Sequence, residues 1–121
     1  MLFIEYPKCS TCKKAKTYLD NLNISYIDRD IKIDKPTKKE LQEWISKSNK
    51  DINKFFNTSG LIYKELGLKN KIQDMSISEK LDILSSNGML VKRPILVTDN
   101  IVLVGFKINE WDETLKGKEN K

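Results

Sequence analysis

Leu2 to Tyr6 is a short, mostly apolar run containing Phe3, Ile4 and Tyr6, and it predicts a buried first strand that Pro7 stops. From Thr11 to Asn21 the period changes. Cys12, Ala15, Leu19 and, just beyond, Leu22 recur at helical spacing, while Lys13, Lys14, Lys16 and Asp20 fall on the opposite side. Tyr26 to Ile33 returns to near alternation, which predicts a second strand and its exit. Strand, tight loop, helix and strand together make a βαβ opening with a parallel pair.

The middle of the chain reads as helical. Thr37 and Glu40, after Pro36, have the spacing of a capping box, with Leu41, Trp44 and Ile45 on the inner face of the helix they open. Asp51 can cap a third helix that buries Ile52, Phe55 and Phe56 and is interrupted by Asn57-Thr58-Ser59-Gly60. Leu61 to Leu66 makes one or two further turns ending at Gly67. Ser76 and Glu79 repeat the capping box before Leu81, Ile83 and Leu84, and Asn87-Gly88 is expected to supply a left-handed stop.

Two β-rich runs follow, Pro94 to Thr98 and Ile101 to Val104. Asp99-Asn100 between them predicts an antiparallel hairpin with a two-residue turn of positive φ. Asn109 is expected to cap a last helix carrying Trp111 and Leu115, and 116–121, without an apolar anchor, to be a disordered tail. Trp44, Phe55, Phe56 and Trp111 read as core aromatics. No repeat or linker divides the pattern, so the expectation is one α/β domain over residues 1–115.

Composition narrows the function. A chain of 121 residues with 39% hydrophobic residues fits one core, and 32% charged residues with a mean hydropathy of -0.50 describe a soluble protein. No apolar run approaches the roughly 20 residues that span a bilayer, and no secretory pattern opens the chain, so a cytoplasmic protein is expected. The formal charge of +5 arises from 22 Lys+Arg scattered among 17 Asp+Glu, and only Arg29 and Arg93 are arginines. That is a solvated surface, Lys69 and Lys71 included, rather than a nucleic-acid face. The absence of histidine matters more: it removes the commonest general base and metal ligand. With two cysteines and no histidine the chain cannot complete a structural zinc site alone.

Cys9-Ser10-Thr11-Cys12 lies between a predicted strand and the start of a predicted helix, the setting in which Cys-x-x-Cys reads as a redox pair. At the helix start, unpaired N–H groups and the positive dipole end favour a thiolate on Cys9 and lower its pKa. Lys8, Lys13 and Lys14 add positive potential. Cys12, one helical turn on, is close enough to resolve whatever forms on Cys9, although its inner-face position also suits plain core packing. Arg93-Pro94 is the second signal. A proline before a late β-rich run is a candidate cis-proline beside the cysteine loop, and Arg93 would then point at the thiolate. Asn57-Thr58-Ser59-Gly60 offers polar groups that could line the same cleft or merely break a helix.

Four segments then carry a resemblance: Tyr6-Pro7-Lys8-Cys9-Ser10-Thr11-Cys12-Lys13-Lys14-Ala15, Phe55-Phe56-Asn57-Thr58-Ser59-Gly60, Gly88-Met89-Leu90-Val91-Lys92-Arg93-Pro94-Ile95 and Val104-Gly105-Phe106. In this order and at these intervals they resemble the arsenate reductase and Spx family of thioredoxin-like proteins. The resemblance implies a four-stranded mixed sheet with a helical insertion between the βαβ half and the C-terminal β-hairpin. In glutaredoxin-coupled arsenate reductases a cysteine after the first strand attacks arsenate and arginines bind the oxyanion. Cys9 and Arg93 match that nucleophile and one such arginine. The other two arginine positions fall at Asn57 and Gly105, which removes most of the charge-assisted binding of a dianion. Cys12 is instead similar to the second cysteine of Spx-type regulators and their uncharacterised relatives, where the pair forms a reversible disulfide. Spx binds RNA polymerase through the C-terminal domain of its α chain, and a glycine ahead of the third helix matters there; Ser48-Asn49-Lys50-Asp51 has none.

The expected function is a thiol-disulfide oxidoreductase or reductase-like enzyme with Cys9, Cys12 and Arg93 as catalytic residues. Ser10, Thr11, Asn57 and Pro94 are the expected substrate-binding positions. Such a monomer needs a thiol donor such as glutathione, bacillithiol, thioredoxin or glutaredoxin, and no tightly bound cofactor or metal. The alternative is a redox-sensing regulator that binds a protein partner such as RNA polymerase.

Overall fold

Phe3 and Ile4 are both completely buried, yet they belong to different clusters, because successive side chains on a strand point to opposite faces of a sheet. In a computed structural model that describes residues 1–119, with side chains through 116, they sit on β1 (Leu2–Glu5). This strand pairs in parallel with β2 (Ile27–Asp30) and antiparallel with β3 (Ile95–Val97), which pairs antiparallel with β4 (Val102–Val104). The order β2-β1-β3-β4 is the mixed sheet that the sequence and the resemblance imply.

The alternation runs through the sheet. Phe3, Leu96 and Leu103 face α1 (Ser10–Asn21) and α5 (Ile108–Glu119), where Ala15, Leu19, Trp111 and Leu115 close one core. Ile4, Ile95, Val102 and Val104 face the helical insertion: α2 (Lys38–Ser48), α3 (Leu61–Glu65) and α4 (Ile77–Ser86) with short 3-10 turns between them. Leu41, Trp44, Phe55, Phe56, Leu81 and Leu84 close that second, larger core. A buried Leu or Phe contributes about 1.5–3 kcal/mol, so these clusters supply the main stabilisation of the sheet's two faces. Among the described residues no helix is long and apolar enough to cross a membrane.

Both capping boxes form. Glu40 N–H donates to Thr37 Oγ1 at 3.1 Å and Thr37 N–H to Glu40 Oε1 at 3.0 Å, and Ser76 and Glu79 repeat the pair. Arg29 clamps the first box by donating to both oxygens of Glu40, at 2.7 and 2.9 Å. One of the two arginines is thereby committed to structure.

Several boundaries differ from the sequence reading. The strand expected over Tyr26 to Ile33 is only four residues long, since Asp30 Oδ1 accepts from the N–H groups of Lys32 and Ile33 and turns the chain. The third helix is a 3-10 turn, Ile52–Phe55, with Asp51 capping Asn53 as expected. Asn87-Gly88 is not a left-handed stop: Asn87 is extended at φ -156, and Gly88 opens another 3-10 turn. Glycine is needed there because a Cβ would lie 1.9 Å from the Ile31 carbonyl oxygen. The hairpin turn lacks positive φ at Asp99-Asn100, because Thr98 closes it instead. Its N–H and hydroxyl donate to the Ile101 carbonyl at 2.9 and 2.8 Å, and its Oγ1 accepts from Ile101 N–H at 3.0 Å. Asn109 lies inside α5 rather than capping it. That helix continues to Glu119 across the expected disordered tail, with a Lys116–Asp112 ion pair of 3.3 Å one turn apart; 120–121 lie outside the described residues.

Candidate active site

Cys9 is the N-cap residue of α1, with extended backbone (φ -83, ψ 124), and its own N–H is tied to the Tyr6 carbonyl at 2.9 Å. Pro7 ends β1, the chain turns through Lys8, and the helix begins at Ser10, so the sulfur is delivered to the end of the sheet half-exposed. Cys12, one turn on, is completely buried, and the Tyr6 backbone N–H donates to its sulfur at 3.5 Å.

The two thiols are pushed apart electrostatically. Burial raises Cys9, but the Cys12 backbone N–H and thiol and the Arg93 guanidinium outweigh it, so the Cys9 pKa falls below its ordinary value. No first-turn N–H makes a full capping hydrogen bond to the sulfur; the N–H dipoles act through their field. Burial and the adjacent Cys9 push Cys12 up to about 12, against the weaker pull of the Tyr6 N–H and Arg93. One sulfur is prepared as a nucleophile and the other is held as a thiol.

Arg93 precedes a cis peptide bond to Pro94 at the start of β3, as anticipated. Its guanidinium lies 5.3 Å from the centre of the Tyr6 ring, and Nη1 donates to the Met89 carbonyl at 3.3 Å. Asn57 Nδ2 donates to the same carbonyl at 3.4 Å. The Asn57 segment reaches the site because its backbone is stitched to 90–92: Asn57 N–H to Leu90 O at 2.8 Å, Lys92 N–H to Phe55 O at 2.7 Å, and a bridge between Phe56 and Val91.

These elements enclose a cleft of about 550 Å³. Cys9, Thr11, Asn57 and Arg93 line it, together with Ser59 and Gly105. Ser10 and Pro94 do not line it. Ser10 is exposed as the first helical residue, and Pro94 is buried, its carbonyl accepting from Gly105 N–H at 2.8 Å. Lys50, Lys54, Lys92 and Lys107 also border the cleft, although in sequence they look like ordinary solvated lysines. Their one signal is adjacency: Lys54 is three residues before Asn57, Lys92 next to Arg93, and Lys107 two after Gly105. Among the described residues no group of three or more Cys, Asp or Glu side chains gathers in a way that could hold a metal ion.

Known proteins share this fold. A crystal structure of an ArsC family related protein from Bacteroides fragilis superimposes with a TM-score of 0.91 at 52% identity, covering 93% of this chain and 94% of that one. The uncharacterised protein YusI of Bacillus subtilis is 44% identical over 93% of this chain and 96% of its own length. The regulatory protein MgsR of the same organism is 30% identical over 98% of this chain and 92% of its own. Residues 4–114 match the ArsC family, and the chain belongs to it.

Proposed function

We propose that this protein is a cytoplasmic thiol-disulfide oxidoreductase that works through Cys9 and Cys12 without a bound cofactor. The observation that carries the reading is the opposed pair of sulfurs, one lowered and half-exposed, the other raised and buried, one helical turn apart. The Cys9 thiolate attacks one sulfur of a disulfide RS–SR, forming a mixed disulfide and releasing RS⁻, which takes a proton from solvent. Cys12 then gives its proton to solvent and attacks Cys9 Sγ, breaking the mixed disulfide, expelling the second thiolate, which is protonated by solvent, and leaving a Cys9–Cys12 disulfide. Two equivalents of a thiol donor (glutathione, bacillithiol) or one reduced thioredoxin or glutaredoxin restore the pair. Arg93 supports the thiolate, and Thr11 and Asn57 contact the substrate.

Turnover of hydroxyethyl disulfide with each donor tests this. The wild type should cycle, Cys9→Ser should be inactive, and Cys12→Ser should accumulate a mixed disulfide on Cys9. Turnover that survives Cys9→Ser, or a wild type that does not cycle with any donor, would sink it.

A redox-sensing regulator is the second reading, favoured by the similarity to MgsR along almost the whole chain. In that case the disulfide forms once and changes affinity for a protein partner such as the α chain of RNA polymerase. Stoichiometric oxidation with redox-dependent binding, in place of turnover, would select this reading.

A further inference from the structure

The cleft around Cys9 is bordered by five cationic side chains, Lys50, Lys54, Lys92, Arg93 and Lys107, against one carboxylate, Asp51. Asp51 is already engaged, its Oδ1 accepting from Asn53 N–H at 2.8 Å. Lys50 is neutralised by Glu110 at 2.9 Å. The side chains of Lys54, Lys92 and Lys107 make no ion pair or hydrogen bond among the described residues, so no described carboxylate offsets their charge at the border of the cleft.

Lys92 is the best placed of the three. Its backbone is fixed by the 2.7 Å bond to Phe55 and by the neighbouring Phe56–Val91 bridge, and its aliphatic stem lies over Gly105. Lys92 Cε stands 3.0 Å from the point where a side chain at position 105 would begin, and Gly105 has a φ of +75, which further favours glycine. The bare glycine surface therefore seats the lysine stem and leaves its ammonium at the cleft.

We propose that Lys92, with Lys54 and Lys107, forms an anion subsite beside Cys9 that selects small disulfides carrying carboxylates near the sulfur. A cleft lined by one sign of charge between low-dielectric walls concentrates ligands of the opposite sign, and about 550 Å³ accommodates a peptide-sized disulfide arm. The assignment of the ligand as a disulfide rests on the oxidoreductase reading; the anion subsite itself does not.

Alkylation of Cys9 separates the two. Iodoacetate and iodoacetamide are nearly the same size and differ by one charge, and the ratio of their rates cancels any change in thiolate population. Normalised to the ratio for 2-mercaptoethanol, the Cys12→Ser protein should prefer iodoacetate by roughly fivefold at low salt, and about 0.5 M salt should remove most of that preference. Lys92→Gln should lower it by roughly threefold, and Lys54→Gln by less. An iodoacetate preference that Lys92→Gln leaves unaltered overturns the assignment, as does a ratio equal to that of 2-mercaptoethanol. In turnover assays the wild type should prefer glutathione disulfide to hydroxyethyl disulfide, and Lys92→Gln should reduce that preference by a similar factor. If neither disulfide is turned over, the oxidoreductase reading fails while the alkylation ratio still decides the subsite.

Discussion

The backbone N–H of Tyr6 points at the sulfur of Cys12, 3.5 Å away, so the last residue before the cysteine loop fixes the buried thiol rather than the exposed one. The neutral Cys12 thiol and backbone N–H then sit beside Cys9 as fixed dipoles. Thiolate absorbance should accordingly show two separated titrations, one below the ordinary cysteine value of 9.0 and one near 12. Iodoacetamide at neutral pH should modify Cys9 first, with peptide mapping as the check. Faster modification of Cys12 would reverse the roles.

Arg93 lowers the Cys9 pKa through a hydrogen bond and through its charge, whereas Lys8, Lys13 and Lys14 are exposed to solvent. Arg93→Ala should raise the Cys9 pKa more than alanine at any of those lysines. Stability should fall by less than about 1 kcal/mol, the worth of a partly exposed contact with the Tyr6 ring. Thiolate absorbance and chemical denaturation measure the two effects, and an unmoved pKa would leave Cys12 and the helix end as the sources of activation.

Arsenate should be a poor substrate even with glutaredoxin and glutathione. Asn57 does line the Cys9 cleft, but it offers an amide that is shared with the Met89 carbonyl, and Gly105 offers no side chain at all. Asn57→Arg would restore one guanidinium and should raise arsenite production at least several-fold. A wild-type rate already comparable to that of an efficient arsenate reductase would contradict the geometry.

How far the sequence reveals this molecule depends on the range of the interaction that decides each feature. The capping boxes at Thr37/Glu40 and Ser76/Glu79 form as their spacing predicts because both partners lie three residues apart. Cys9 at the helix start and Cys12 on its inner face follow from helical period alone. The Asn87-Gly88 stop escapes local reading because a distant contact decides it: the Ile31 carbonyl excludes a side chain at 88. The Asp99-Asn100 turn is a local feature that residues other than those two decide, since the Thr98 hydroxyl, bonded to Ile101 three positions on, closes the hairpin without positive φ. The lysines of the cleft carry no sequence signal beyond adjacency, because long-range contacts gather them. Lys54, Lys92 and Lys107 come from three segments that the Phe56–Val91 bridge with its flanking backbone bonds and the β3–β4 pairing bring together.

Gly88 provides a sharp test of the contact argument. Alanine there would put a methyl group 1.9 Å from a backbone oxygen, which neither neighbour can relieve without shifting β2's exit or the turn before β3. Gly88→Ala should cost about 3 kcal/mol. Gly67→Ala is the control. Gly67 has a φ of +62, but only the flexible end of Lys71 is near, at 3.9 Å, so the change should cost about 1 kcal/mol. Denaturant midpoints of the two variants compare them, and equal losses would show that the approach to the Ile31 carbonyl relaxes at little cost.

Glu5 is the buried carboxyl at the end of β1. Its residue is 2% exposed, and Oε2 has no hydrogen-bond partner; Lys16 Nζ, 3.5 Å away, gives its shorter contact of 2.7 Å to Asp28. Burial, reinforced by the neighbouring Asp28 carboxylate, pushes Glu5 up to about 7 from an ordinary 4.5, despite the opposing pull of Lys16. Between those values the folded protein retains a proton that the unfolded chain has released. Stability therefore declines as pH rises from 4.5 to 7, and the full penalty is present above 7. Glu40, lowered to about 2 chiefly by Arg29, has the opposite sign, but its effect falls below pH 4.5 and does not overlap this window. Glu5→Gln removes the titration. Relative to wild type it should gain on the order of 2 kcal/mol between about pH 5 and about pH 8, since one pKa unit corresponds to about 1.4 kcal/mol. Denaturant unfolding of both proteins at the two pH values measures this, and a difference that does not change with pH would mean that Glu5 is charged throughout.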